Sequence, residues 1–328
     1  MPRRSERRGT VAAREATLAA VSRTLRAPLL LLGLLVALGV AAVALAQSGD
    51  DAPGPRAAAG TTGATGPTRV APAPLPGPTV ALPRGDAGLG VALTQTTRRL
   101  RLAIETWTAR GGAKTAEPPR AVTLLALHQQ RLYRRLADDP ARADRVVARL
   151  GPEVRAEARD VVLARRALAR IRRSGRAPAV RTAAAAPAEE LRGAYAGAER
   201  RFRVPSDVLA AVNFVESAFG RVRSASEAGA RGPMQFLPAT WRQYGLGGDI
   251  DDDGDAILGA ANYLRASGAP GDLRRALFAY NHSTDYVSAI LRFSRRMRAD
   301  ERTFYAFYAW QVYVRTPAGG VRRITGPR

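Results

Sequence analysis

The stretch VNFVESAFGRVRSASEAGARGPMQF, residues 212–236, decides the reading of this 328-residue chain. It sets one carboxylate, Glu216, into a segment with helical spacing. Leu209, Val212, Glu216 and Phe219 recur at i, i+3, i+7 and i+10, the spacing of one helix face. An ionisable side chain there faces the core or the wall of a cleft. Loss of water penalises the charged form, so the pKa of Glu216 is expected to rise. A carboxylic acid that keeps its proton near neutrality is what general-acid catalysis needs. Periodicity alone reads such a Glu more readily as a boundary residue reaching for solvent. The neighbouring blocks change that reading.

Glu216-Ser217 is followed by a Ser- and Gly-bearing loop, SEAGARGPMQF (226–236), and a helix start, LPATW (237–241). Further on comes AYNHS (279–283). In this order the blocks resemble the transglycosylase SLT domain, the catalytic domain of the soluble lytic transglycosylases. That family carries ES, a loop of the form S..GA.G.MQ, YL and AYN along a lysozyme-like helical fold. The resemblance spans residues 189–298. It implies cleavage of the β-1,4 bond between N-acetylmuramic acid and N-acetylglucosamine in peptidoglycan glycan strands. One Glu acts first as acid, then as base on the 6-hydroxyl of the same muramyl sugar, leaving a 1,6-anhydromuramyl end without water.

Carried over by position, Glu216 matches the acid/base and Ser226 the loop serine that contacts substrate near it. Met234 and Gln235 match the pair lining the cleft. Tyr280 and Asn281 match the pair that approaches the acetamido group and the carboxylate. Three departures stand out. The loop from Phe219 to Ser226 is one residue longer than the common pattern, Pro233 replaces Leu, and His282-Ser283 replaces Ala-Gly. His282 reads as a loop histidine, with a second titrating group as the alternative. Most glycosidases use two carboxylates. Here the best-placed one is single, since Ser226 and not Glu227 matches the pattern. A single carboxylate implies that the substrate's N-acetyl group serves as nucleophile. No cofactor is expected.

Composition sets the wider frame. The formal net charge is +23, and Lys114 is the one Lys among 51 basic residues. Such a chain is drawn to polyanions. There is no cysteine, hence no disulfide and no thiolate metal site. Residues 1–26 carry seven Arg and two Glu, net +5. Residues 27–46, APLLLLGLLVALGVAAVALA, lack charge and match a bilayer span of about 30 Å. The basic flank predicts a single membrane anchor in the cytoplasmic membrane, with the rest of the chain outside the cytoplasm. A cleaved signal peptide ending at Ala44-Leu45-Ala46, hence a secreted protein, is the alternative.

The fold class read from the remainder is mainly α. A lysozyme-like helical catalytic domain follows a helical region and the single N-terminal transmembrane helix. Residues 47–86 read as a Pro/Gly/Ala-rich linker. Residues 87–173 read as a helical region of unknown role, in which Leu124, Leu125, His128, Leu132 and Leu136 share a stripe. His128 reads as a packed histidine. A helix over about 153–171 turns Val161, Leu168 and Ile171 inward. Arg165, Arg166, Arg170, Arg172 and Arg173 read as a solvated helix face, with a face for anionic wall polymers or lipid as the alternative. Residues 174–188 mark a second linker, and 189–300 the catalytic domain.

Within that domain Ser206 is the expected N-cap of the Glu216 helix. Further helices are expected over 238–244, 255–266, 272–280 and 285–297. The tail, 301–328, holds six of the chain's twenty aromatics between Phe304 and Tyr313. Packing onto the helical core is the favoured reading, a glycan platform the alternative. WQVYV and VRRIT flank a turn and read as a small β-hairpin. The run Asp249, Asp251, Asp253, Gly254 resembles half a calcium loop, but Ala260 stands where the twelfth-position Glu belongs. Helix capping by Asp253 or Asp255 accounts for it, and no metal site is expected.

Three rivals remain. A lysozyme-like hydrolase would release reducing ends, and a non-catalytic wall-binding protein would release nothing. A nucleic-acid or lipid binder rests on charge alone; no RNA-binding motif or zinc ligand supports it. Protein partners are not legible.

Overall fold

A computed structural model describes residues 73–115, 117–171, 179–316 and 321–327. The expected anchor, 27–46, and most of the first linker lie outside these residues. Among the described residues no helix is long and apolar enough to cross a membrane.

The described chain is mainly helical. The first four helices are α1 (Asp86–Ala109), α2 (Arg120–Ala137), α3 (Pro140–Ala148) and α4 (Pro152–Arg170). Next come α5 (Ala188–Phe202), α6 (Ser206–Ser217), α7 (Pro238–Tyr244) and α8 (Asp253–Ala266). The last are α9 (Leu273–Tyr280), α10 (Thr284–Ala299) and α11 (Arg302–Tyr308). Strands β1 (Tyr313–Arg315) and β2 (Val321–Arg323) close the chain as an antiparallel hairpin, with Tyr313 opposite Arg323.

Local chemistry sets these boundaries. Proline opens α3, α4 and α7, where a missing N–H removes no helical bond. Asp139, Asp272 and Ser283 cap α3, α9 and α10 by accepting from the backbone N–H three residues on. Two expected caps differ. Pro205 precedes α6, and the Ser206 N–H donates 3.1 Å to Oε2 of Glu199 instead. Asp252, rather than Asp253 or Asp255, caps α8, accepting from the Asp255 N–H at 2.9 Å.

One hydrophobic cluster runs from Leu89 to Trp310, so α1–α4 and the later helices share a core. α10 packs on both α4 and α6. Asp160 of α4, nearly buried, fixes the first of these contacts: it pairs with Arg292 at 3.1 Å, Arg296 at 2.8 Å, and Arg295. Buried Glu157 ties α4 to α1 and α2, accepting from Arg101 at 3.0 Å, Tyr133 at 2.8 Å and Gln129 at 3.1 Å. Burial pushes the Glu157 carboxyl up, against the pull of Arg101.

The aromatic tail packs inward. Phe304, Tyr305, Phe307, Tyr308 and Trp310 are buried, the first four on α11, a helix that the sequence reading left unassigned. Phe214 of α6 sits among Phe219, Phe293, Phe307 and Trp310, with ring centroids 5.0–5.9 Å away. Each such pair adds about 0.5–1.5 kcal/mol beyond area burial. Of the expected solvated arginine face, Arg172 and Arg173 lie outside the described residues, and one position is corrected. Arg165 is 0 % exposed, whereas Arg170 reaches out to Asp285 at 2.5 Å.

Candidate active site

Helix α6 is buried from Val208 to its last residue, Ser217. The apolar stripe that drew attention to Glu216 is therefore not one face of an amphipathic helix. The helix is enclosed over this stretch, and Glu216 is the carboxylate within the stretch, 1 % exposed. Tyr286, at the start of α10, donates a 2.7 Å hydrogen bond from its hydroxyl to Glu216 Oε1. Burial and the nearby Glu216 charge push the Tyr286 phenol well up, so it remains a donor at neutral pH.

The chain reverses directly after α6. Ala218, Phe219 and Gly220 all take left-handed backbone, and the Ala218 and Phe219 N–H groups donate back to Phe214 and Asn213 carbonyls. Ser217 locks the reversal. Its hydroxyl donates 2.5 Å to the Pro233 carbonyl and accepts from the Gly220 N–H at 2.8 Å. Asn213 adds a 2.9 Å bond to the same carbonyl, and Tyr195 donates to Asn213 at 2.6 Å. The loop 231–236 thereby hangs from α6 by side-chain bonds.

That loop is itself a closed turn. Arg231 and Phe236 exchange backbone bonds of 2.8 and 2.9 Å. Inside it, Gly232 has φ +75°, and a Cβ there would lie 1.8 Å from the Ile250 carbonyl oxygen. Glycine is required on both counts. Gln235, at φ 50°, is a non-glycine residue in the same region. It is buried, its Nε2 donates 3.0 Å to the Gly232 carbonyl, and its Oε1 has no partner. Arg231 and Arg223 reach the acidic run: Arg231 pairs with Asp251, and Arg223 lies 3.7 Å from Asp253. Asp249, Asp251 and Asp252 bond within the run and to Asp255, so this segment buttresses the loop.

The six residues marked from the sequence take different places here. Ser226 uses its hydroxyl to accept from the Ala230 N–H at 2.9 Å, tightening the loop from within. The Met234 side chain belongs to the core, and its carbonyl accepts from the Tyr280 hydroxyl at 2.6 Å. The Tyr280 hydroxyl thus binds the loop; its ring lies parallel to that of Tyr286, at an interplanar angle of 4° and 6.5 Å between centroids. Asn281 is buried just past the end of α9, on extended backbone. His282 is exposed and meets the Phe278 ring edge-on at 5.4 Å.

Sequence reasoning missed Tyr286, Ser217 and Asn213 as positioning groups. Ser217 and Asn213 stand beside Glu216, and their polarity inside an apolar helix was the available signal. Tyr286 lies 70 residues away and becomes visible only once α10 crosses α6.

Residues 194–300 match the family model of the transglycosylase SLT domain. The match is consistent with a lytic transglycosylase of the lysozyme-like superfamily and supports a peptidoglycan-acting function of that kind. No curated protein and no solved structure matches the chain.

Proposed function

We propose that the chain is a lytic transglycosylase. It cleaves the β-1,4 bond between N-acetylmuramic acid and N-acetylglucosamine and leaves 1,6-anhydromuramyl ends. The observation that carries this reading is the enclosed Glu216 carboxylate held by Tyr286, inside the segment that matches the family.

Glu216 protonates the leaving oxygen, then removes the proton from the 6-hydroxyl of the same sugar. The substrate acetamide takes the place of a second carboxylate, with Asn281 as its positioning partner. Gln235, with a free buried acceptor, faces the same task of substrate contact. The proposed location is the outer side of the cytoplasmic membrane, with residues 27–46 as anchor.

The test is mass spectrometry of muropeptides after digestion of purified glycan strands, with Glu216→Gln as control. Anhydro ends made by the native chain and absent with Glu216→Gln are the expected result. Reducing ends in their place would assign a lysozyme-like hydrolase, and the absence of products would remove enzymatic function.

A further inference from the structure

The correction at Arg165 opens onto a second site. Arg131 and Arg134 of α2 and its C-cap residue Asp138 follow at three- and four-residue spacing. Arg165 meets this face from α4, and the hairpin adds Tyr313 and its cross-strand partner Arg323. The Arg134 guanidinium lies 4.0 Å from the centre of the Tyr313 ring. No residue of α6, the 231–236 loop, α9 or α10 takes part, so this cluster is separate from the Glu216 site.

The hydrogen bonding here is incomplete. All three guanidinium nitrogens of Arg165 are buried without a partner. One Nη of each of Arg131, Arg134 and Arg323 is in the same state, and so is Oδ1 of Asp138. Arg134, Arg165 and Arg135 act on the Asp138 carboxylate, while Arg131 and Arg323 act on each other, so positive charge is in excess. Burial, reinforced by Arg134, pushes the Arg165 guanidinium well down from its ordinary value. A buried unpaired cation is strongly unfavourable, and an apolar side chain of similar volume would remove the penalty. Guanidinium forks match the oxygens of a tetrahedral oxyanion two at a time. A single carboxylate ligand would leave most of the charge uncompensated, whereas a phosphate carries close to two charges.

We propose that the junction of α2, α4 and the C-terminal hairpin binds a phosphate group, either as the free ion or as the terminal monoester of a larger molecule. The enclosure of Arg165 selects a compact group over a polymer backbone. Bound there, the anion joins the hairpin to the N-terminal helices.

The experiment uses the full chain in detergent, by calorimetric titration and thermal melting, with inorganic phosphate and glycerol phosphate as probes against chloride at equal ionic strength. One-site binding is expected, with a rise in Tm of about 2–4 °C near saturation. Arg165→Met should melt at or above the native temperature in chloride and lose the phosphate response. Arg134→Gln should weaken binding at least tenfold and serves if Arg165→Met does not fold. Tighter binding of glycerol phosphate assigns a terminal monoester, and tighter binding of inorganic phosphate assigns the free ion. No binding of either probe, or an equal Tm rise in both variants, would overturn the site. Neither readout uses glycan cleavage, so failure here leaves the role of Glu216 untouched.

Discussion

Tyr286 and Glu216 meet through a 2.7 Å hydrogen bond that joins the start of α10 to the last turn of α6. The bond fixes one Glu216 carboxylate oxygen through a residue outside every motif read from the sequence.

Tyr286→Phe keeps the ring and removes the donor. Hydrogen bonds to charged groups contribute about 1.5–3 kcal/mol, so turnover should fall roughly tenfold to a hundredfold with KM little changed. Steady-state cleavage of glycan strands measures this. Native turnover in Tyr286→Phe would show that the bond has no positioning role.

Gly232→Ala places a methyl group 1.8 Å from the Ile250 carbonyl oxygen at a backbone angle of +75°. The 231–236 turn must shift, taking Gln235 with it. Cleavage should be nearly lost while helical circular dichroism stays close to native, because the clash is confined to two loops. An active Gly232→Ala protein would mean that the turn is not needed in this form.

Phe307→Ala removes a ring stacked 5.2 Å from Phe214 and packed 5.4 Å from Phe293. Such truncations cost roughly 3–5 kcal/mol. Chemical denaturation should report a loss of that size, and activity should decline at temperatures well below the native Tm. A loss under about 1 kcal/mol would place the tail outside the cooperative core.

His128 is held below its ordinary value by burial first, then by Arg131 and Arg99. Its folded pKa is depressed, so its contribution is complete above the unfolded value near 6.5 and is lost as pH falls through the folded one. Glu157, Asp138 and Asp253 are pushed up by burial and act in the opposite direction at lower pH. The informative quantity is therefore the difference in Tm between native and His128→Gln proteins. It should narrow from pH 7.5 to 5; a constant difference would contradict the assignment.

Much of the architecture was legible because helical periodicity is local. The helix over 238–244 and the pairing of Tyr313–Arg315 with Val321–Arg323 appear where the sequence pattern put them. The family blocks were legible because they lie in a fixed order on one chain, within the residues that match the family model. What failed was burial. Arg165 carries charge, and its spacing sent it to a solvated face, whereas the spacing around Glu216 already pointed that carboxylate to the core or a cleft wall. Both are enclosed by elements distant in the chain: α10 over Glu216, the hairpin and α2 around Arg165. The helix α11 was hidden for a related reason. Its aromatic density says apolar without saying which way the backbone turns.

The seat of Phe214 has a temporal meaning as well. A chain emerges from the ribosome N-terminus first. The helix that bears Glu216 is complete by Ser217, yet three of the rings around Phe214 belong to Phe293, Phe307 and Trp310. Until those late residues emerge, α6 has no lasting cover, and the bond from Tyr286 has no rigid partner to meet. The seat of Phe214 closes, and Tyr286 meets a fixed carboxylate, only once residues as late as Trp310 have been made.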